Sequence, residues 1–143
     1  MIVVMSVSRT VLVFGTFDPL HEGHLSYFKQ ARLQGDRLVC VVARDVTVKR
    51  VKGAKPMYSE QERFAAVGSC GLVDQVALGS TKNVYDVLGV FEPDVICLGY
   101  DQHAFTGTLT TELKRRGLSC DIVRLKAYKP EEFKSSIIKA KAL

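Results

Sequence analysis

Two of the three histidines of the chain lie three residues apart, in a segment that begins with a glycine. Residues 15–24 read Gly-Thr-Phe-Asp-Pro-Leu-His-Glu-Gly-His. If His21 begins a helix, His24 lies almost one turn further along the same face. Free N–H groups and the dipole at a helix N-terminus attract phosphate, and two imidazoles can add hydrogen-bond donors. Gly23 leaves room for a ligand near the backbone. The pattern predicts a polyphosphate site, and the alternative is a core histidine beside a polar helix start.

Alternating strands and helices must position this segment. The apolar run at residues 11–14 is typical of a strand buried on both faces. The same criteria predict further strands at residues 38–43, 73–78, 95–98 and 121–125. Helices are predicted over residues 22–34, 59–67, 84–91 and 109–116, and a short last helix is predicted from Ser135. This order predicts an α/β fold, a doubly wound parallel sheet of about five strands with helices on both faces.

Ligands of such sheets bind beyond the carboxyl ends of the strands. The loops after residues 14, 43 and 98 are therefore the predicted places for chemistry. In the third loop Asp101 could accept hydrogen bonds from a ribose or a base, and Gly99 permits close approach. The alternative for Asp101 is a carboxylate that starts a turn.

Composition narrows the class of protein. The chain has 143 residues, 47% hydrophobic and 24% charged, which predicts one domain over residues 1–143 and excludes disorder. No apolar run reaches the roughly 18 residues of a membrane span, and the apolar start lacks a basic leader, so we expect a cytoplasmic protein. The four cysteines have no metal-ligand spacing, and we expect them to be buried as small hydrophobic residues.

The net charge of +5 would suit nucleic acid, an anionic membrane or a phosphorylated ligand. The basic residues are dispersed and there is no Trp, so no aromatic-studded basic stripe is present. A basic nucleotide- or RNA-binding module without catalysis is one hypothesis, and the charge alone supports it. Binding of that kind would weaken steeply with salt.

The segment at residues 15–24 resembles the signature of the HxGH nucleotidyltransferase superfamily, in its cytidylyltransferase-like branch. The resemblance continues through Ala-Arg-Asp-Val-Thr-Val-Lys at residues 43–49, Lys-Gly at 52–53 and Pro-Asp-Val-Ile-Cys-Leu-Gly-Tyr-Asp-Gln at 93–102. It ends with Ser-Ser-Ile-Ile at residues 135–138. Together these segments are most similar to the archaeal FAD synthase family.

This resemblance implies a Rossmann-like fold and transfer of AMP from ATP to FMN, giving FAD and pyrophosphate. The phosphate of FMN is already anionic, so in-line attack on the α-phosphorus needs no general base. It also implies a divalent metal, Mg²⁺, and a homodimer. ATP and FMN are the expected partners, with no nucleic acid and no membrane.

The resemblance assigns roles to residues of this chain. His21 and His24 would bind the triphosphate and stabilise the transferring phosphoryl group, and a helix N-terminus would tend to lower the pKa of both. The other residues that would contact the nucleotide are Thr16, Phe17, Glu22, Gly23, Asp101, Tyr128, Ser135 and Ser136. Lys49, as a catalytic residue, would meet the phosphate of the acceptor together with Lys52 and Arg63. By themselves, lysines in a loop are usually solvated.

A second hypothesis keeps the mechanism and changes both substrates to CTP and glycerol-3-phosphate or another sugar or polyol phosphate. Glycerol-3-phosphate cytidylyltransferases carry an Arg-Thr-x-Gly-x-Ser-Thr-Thr segment before the last helix. Residues 128–136 read Tyr-Lys-Pro-Glu-Glu-Phe-Lys-Ser-Ser and lack the arginine and the double threonine. The difference weakens the cytidylyl hypothesis and is compatible with ATP, without proving adenine.

Overall fold

The fold is built on five parallel strands in the order β3-β2-β1-β4-β5, in a computed structural model that describes residues 8–103 and 106–127. The strands are β1 (Thr10–Gly15), β2 (Arg37–Val42), β3 (Gln75–Leu78), β4 (Val95–Leu98) and β5 (Asp121–Arg124). The helices are α1 (Glu22–Arg32), α2 (Asp45–Lys52), α3 (Glu60–Ser69), α4 (Asp86–Phe91) and α5 (Leu109–Arg115), and a 3₁₀ turn at Thr106–Thr108 precedes α5.

Side chains of the central strands are buried on both faces of the sheet. Val11 and Val13 of β1 pack in a cluster with α1 and α3, whereas Leu12 and Phe14 pack in a second cluster with α4 and α5. Side chains alternate between faces with a period of two, so a strand covered by helices on both sides must be apolar throughout. This burial explains the continuous apolar run at residues 11–14 and confirms the predicted α/β class.

The order of the strands reverses between β1 and β4. From β1 the chain adds β2 and β3 on one side, then returns to add β4 and β5 on the other. The crevice of a doubly wound sheet opens at this point. At this crevice the hydroxyl of Tyr27, in α1, donates to the carbonyl of Cys97 at 2.7 Å. The side-chain amide of Gln102 donates to the carbonyl of Phe14 at 3.1 Å. The ends of β1 and β4 are thereby held together.

The predicted strands and helices within the described residues are confirmed, with ends that shift by a few residues. The capping box of α3 is present, with Ser59 accepting from the N–H of Glu62 and Glu62 accepting from the N–H of Ser59. Helix α2 was not predicted, and Lys52 is its last residue. The predicted helix from Ser135 lies outside the described residues.

The expectation for the cysteines holds for two of the four. Cys40 and Cys97 are buried, whereas Cys70 and Cys120 are only partly so, and all four are free thiols.

Within residues 8–103 and 106–127, no helix is long and apolar enough to cross a membrane.

Candidate active site

A cavity of about 480 Å³ lies at the carboxyl ends of the strands, where the sequence places its chemistry. The loops after β1, β3 and β4 and the inner face of α2 line it. Seven of the predicted site residues lie on its wall, namely Thr16, Phe17, His21, Gly23, His24, Lys52 and Asp101. The structure therefore brings together residues that are up to 85 positions apart in the chain, from Thr16 to Asp101.

Phe17 turns back over the end of β1. Its φ of 56° is in the left-handed region, which is uncommon for a residue with a side chain. The turn lays the phenyl ring so close to Gly15 that a Cβ there would lie 2.5 Å from a ring carbon. The ring is 2% exposed, and its centroid lies 4.9 Å from that of His24 and 5.4 Å from that of Phe28. Phe17 thus packs the His24 imidazole against the core as well as lining the cavity.

The two histidines cap α1 with their rings. The N–H of Gly23 donates to Nδ1 of His21 at 3.0 Å, and the N–H of His21 donates to Nδ1 of His24 at 3.2 Å. A ring nitrogen that accepts a hydrogen bond carries no proton, so each neutral imidazole carries its proton on Nε2. Each histidine therefore has one N–H donor for a ligand, and the cap itself selects the tautomer.

Burial keeps both imidazoles neutral. It lowers the pKa of His24 to about 3, helped by the nearby His21 and the positive charge of Lys52. Burial also lowers the pKa of His21, while the carboxylates of Asp101 and Glu22 oppose this shift. The predicted direction is confirmed, but its largest cause is desolvation and not the helix N-terminus. At neutral pH the site presents two uncharged donors.

Arg63 has a different place from the one predicted. It is 1% exposed and is absent from the cavity wall. Its guanidinium donates to the carbonyls of Thr16, Ala43 and Tyr58 at 2.8–3.0 Å and to the carboxylate of Asp45 at 2.7 Å. These bonds occupy four of its five N–H donors and the group is buried away from the cavity, so it does not meet an acceptor phosphate there. We correct its assignment to a positioning residue that joins the loops after β1 and β2.

Two further predicted residues lie off the cavity wall. Glu22 and Lys49 are both exposed, on the first turn of α1 and the last turn of α2, and neither lines the cavity. Lys52, also exposed, does line it, and its charge reaches His24. Tyr128, Ser135 and Ser136 lie outside the described residues.

Sequence reasoning missed several residues of the wall because their types carry no motif. Tyr27 and Gln102 line the cavity as well as joining β1 to β4. Thr47 also lines the cavity, as do four valines, Val41, Val48, Val51 and Val84. For Thr47 and Gln102 the sequence held one indication of a role in the site, because both residues lie in segments that carry the family resemblance.

Comparison with known proteins places the chain among nucleotidyltransferases. A family model described as cytidylyltransferase-like matches residues 12–141. A FAD synthase from Methanothrix thermoacetophila is 41% identical over 126 residues, covering 88% of this chain and 87% of the relative. A FAD synthase from Methanosarcina barkeri is 44% identical over 115 residues, covering 80% of this chain and 81% of the relative.

Two solved structures share the architecture. A structure described as a lipopolysaccharide core biosynthesis protein from Thermoplasma volcanium has a TM-score of 0.80 and 36% identity, over 86% of this chain and all of that one. Pantoate-β-alanine ligase from Francisella tularensis has a TM-score of 0.65 at 15% identity, covering 98% of this chain and 67% of the ligase. The second likeness concerns the fold alone.

Replacing Arg63 by Met should lower the free energy of unfolding by about 3 kcal/mol, because it leaves buried carbonyls without donors and breaks the pair with Asp45. Urea denaturation measures this loss. Arg32→Met is the control, since Arg32 and Asp74 are each over 40% exposed and such pairs contribute less than about 1 kcal/mol. Equal losses in the two variants would contradict the positioning role.

The low pKa of His24 predicts acid sensitivity. Between pH 6.5 and about 3 the unfolded chain binds a proton at His24 that the folded chain does not, so stability falls as pH falls. In His24→Gln the fall should be shallower, by at most about 1.4 kcal/mol per pH unit. Urea denaturation at pH 7, 6 and 5 measures the slopes. Parallel curves for the parent and His24→Gln would rule out a buried neutral His24.

Proposed function

The chain belongs to the cytidylyltransferase-like family, and from that premise we propose that it is an FMN adenylyltransferase, which makes FAD and pyrophosphate from ATP and FMN. The observation that carries the proposal is the match to archaeal FAD synthases at 41% and 44% identity, over at least 80% of each chain. The site supports it because two neutral imidazole donors, a lysine and a carboxylate converge on one cavity.

The reaction is an in-line displacement at the α-phosphorus of ATP. A phosphate oxygen of FMN forms the new P–O bond, the bond to the bridging oxygen of the β-phosphate breaks, and pyrophosphate leaves with the electron pair. No proton has to be removed from the nucleophile, so the protein needs to position both phosphates and stabilise negative charge. The Nε2–H groups of His21 and His24 provide this stabilisation without the cost of burying an imidazolium.

In this proposal Lys52 binds the phosphate of FMN. It lines the cavity at the end of α2, and its charge acts on His24. A lysine is a compact positive charge that can sit between two phosphates during transfer. Asp101 follows β4, where a carboxylate can accept hydrogen bonds from the ribose of the nucleotide.

A divalent metal, Mg²⁺, completes the proposal. Within the described residues no three His, Cys, Asp or Glu side chains cluster as a metal cage. Mg²⁺ bound with nucleotides commonly takes one or two carboxylates and several phosphate oxygens, and Asp101 is the described carboxylate on the cavity wall. The residues therefore fit a metal that arrives with the triphosphate. When bound, it would neutralise charge on the phosphates.

The cytoplasm is the compartment that we propose, since all four cysteines are free thiols, as is usual in a reducing compartment. The single-domain organisation and the homodimer stay predictions from chain length and family resemblance.

The proposal is tested with ATP and CTP, each offered with FMN and with glycerol-3-phosphate, in the presence of Mg²⁺. Pyrophosphate release with ATP and FMN, together with FAD in the product, is the expected result. Release only with CTP and the polyol phosphate would move the enzyme to the cytidylyl hypothesis. Folded protein that binds ATP without release in any combination would overturn the proposal.

Replacing His21 or His24 by Ala should lower turnover by roughly 10²–10³, because each removes one preorganised donor from the transition state. Turnover is followed as pyrophosphate release at saturating ATP and FMN, and circular dichroism checks that the variants stay folded. A folded double variant with near-normal turnover would show that the two imidazoles do not stabilise the transferring phosphoryl group.

The two lysines of α2 should differ in effect. Lys52→Ala should raise the KM for FMN or lower turnover by about tenfold, the value of roughly one charge-assisted hydrogen bond. Lys49→Ala is its matched partner on the same helix and should change either parameter by less than about threefold, because Lys49 lies off the cavity wall. The reverse order of effects would return the acceptor phosphate to Lys49.

A further inference from the structure

Part of the cavity wall consists of valine side chains. Four valines line the cavity, Val48 and Val51 from α2, Val41 from β2 and Val84 from the segment before α4, and we call them the valine wall. The cavity wall also carries His21, Asp101 and other polar groups that suit phosphates and a ribose. A wall of valines has nothing to offer a phosphate, so it must face another part of a substrate.

A polar residue of α2, Thr47, lines the cavity together with these valines. Thr47 is 7% exposed, and its Oγ1 has no hydrogen-bond partner among the described residues. A threonine in a helix commonly donates to the carbonyl four residues earlier. That carbonyl belongs to Ala43 and here accepts a hydrogen bond from Arg63 at 2.8 Å. A buried hydroxyl without a partner destabilises the folded chain, which a ligand hydrogen bond would reverse.

Thr47 and Val51 are four residues apart and so share one face of α2. Lys52 follows Val51 and also lines the cavity. A ligand with its phosphate at Lys52 and the histidines can therefore extend an apolar part along this face of the helix. FMN has this distribution of chemistry, because a flexible ribityl chain joins its phosphate to a flat ring system. One end of the ring system is a dimethylbenzene and the other is a pyrimidine edge with carbonyls and an N–H.

We infer that the isoalloxazine ring of FMN binds against the valine wall, and that the Thr47 hydroxyl forms a hydrogen bond with its pyrimidine edge. The inference rests on the proposed function and adds to it the residues that select a flavin as acceptor. The valine wall and Thr47 together determine the specificity for a flavin, because a polyol phosphate has no ring to cover the valines and no pyrimidine edge to bind Thr47.

The first test replaces the hydroxyl by a methyl group of similar size. Thr47→Val should raise the KM for FMN about three- to tenfold, the range of one neutral hydrogen bond, and leave the KM for ATP within about twofold. Because the variant removes a buried group without a partner, its thermal unfolding midpoint should be unchanged or higher. Thr47→Ser, which keeps the hydroxyl, should restore most of the affinity for FMN.

Binding of the ring alone is measured with riboflavin, which lacks the phosphate. Its fluorescence should be quenched when it is titrated into the parent protein, and Thr47→Val should weaken this binding by the same factor as the KM for FMN. A defect with FMN and none with riboflavin would place Thr47 at the phosphate and overturn the inference.

A second pair of variants tests the valine wall without touching a buried residue. Val51 and Val46 are 55% and 53% exposed on the same helix, but only Val51 lines the cavity. Val51→Asn should raise the KM for FMN at least threefold because it removes apolar contact with the ring. Val46→Asn, which changes the same residue type in the same way, should leave it unchanged.

The outcomes separate this inference from the proposed function. If the parent protein makes FAD and neither Thr47→Val nor Val51→Asn alters the KM for FMN, the function stands and the flavin site is wrong. If the variants raise the KM for ATP instead, the adenine occupies this side of the cavity and the inference is overturned. If the parent makes no FAD from ATP and FMN, the proposed function fails and the inference fails with it.

Discussion

The hydrogen bonds between two histidine rings and the first N–H groups of α1 govern the chemistry of this site. A helix start must find acceptors for its free N–H groups, and here Nδ1 of His21 and Nδ1 of His24 supply them. The cap places the proton on Nε2 of each ring, and burial against Phe17 keeps His24 uncharged. The two cap hydrogen bonds thus start the helix, orient both N–H donors and select the tautomer of each ring.

A buried polar cluster behind the histidines holds the remaining loops in place. Arg63 of α3 joins the backbone of Thr16 to that of Ala43, and the Glu60 carboxylate accepts from the N–H of Asp45 at 2.9 Å. Helix α2 has no side-chain cap of its own at Arg44, so Glu60 serves its N-terminus from another helix. The position of α2, and with it the cavity wall beside Lys52, depends on this cluster.

Much of the fold could be predicted from local pattern. The apolar runs of β1, β2 and β4 predict buried parallel strands because helices cover both faces of the sheet. The histidine segment predicts a ligand site because its residue types lie at a strand end, where doubly wound sheets bind ligands. Helix α2 could not be predicted in this way, because Val46, Val48 and Val51 are β-branched and its cap comes from Glu60.

The sequence alone determined the fold class, the family resemblance and the histidine pair, because each depends on residues that are neighbours in the chain. Tertiary structure decided which of the basic residues line the cavity. Arg63, predicted beside a phosphate, is enclosed by carbonyls from distant loops, and Lys52 lines the cavity whereas Lys49 does not. It also decided which apolar residues line the cavity with Thr47, since valines from β2, α2 and the segment before α4 reach one cavity only when the sheet has formed. The burial of a side chain and its hydrogen-bond partners depend on contacts between distant segments, and no local sequence pattern encodes these contacts.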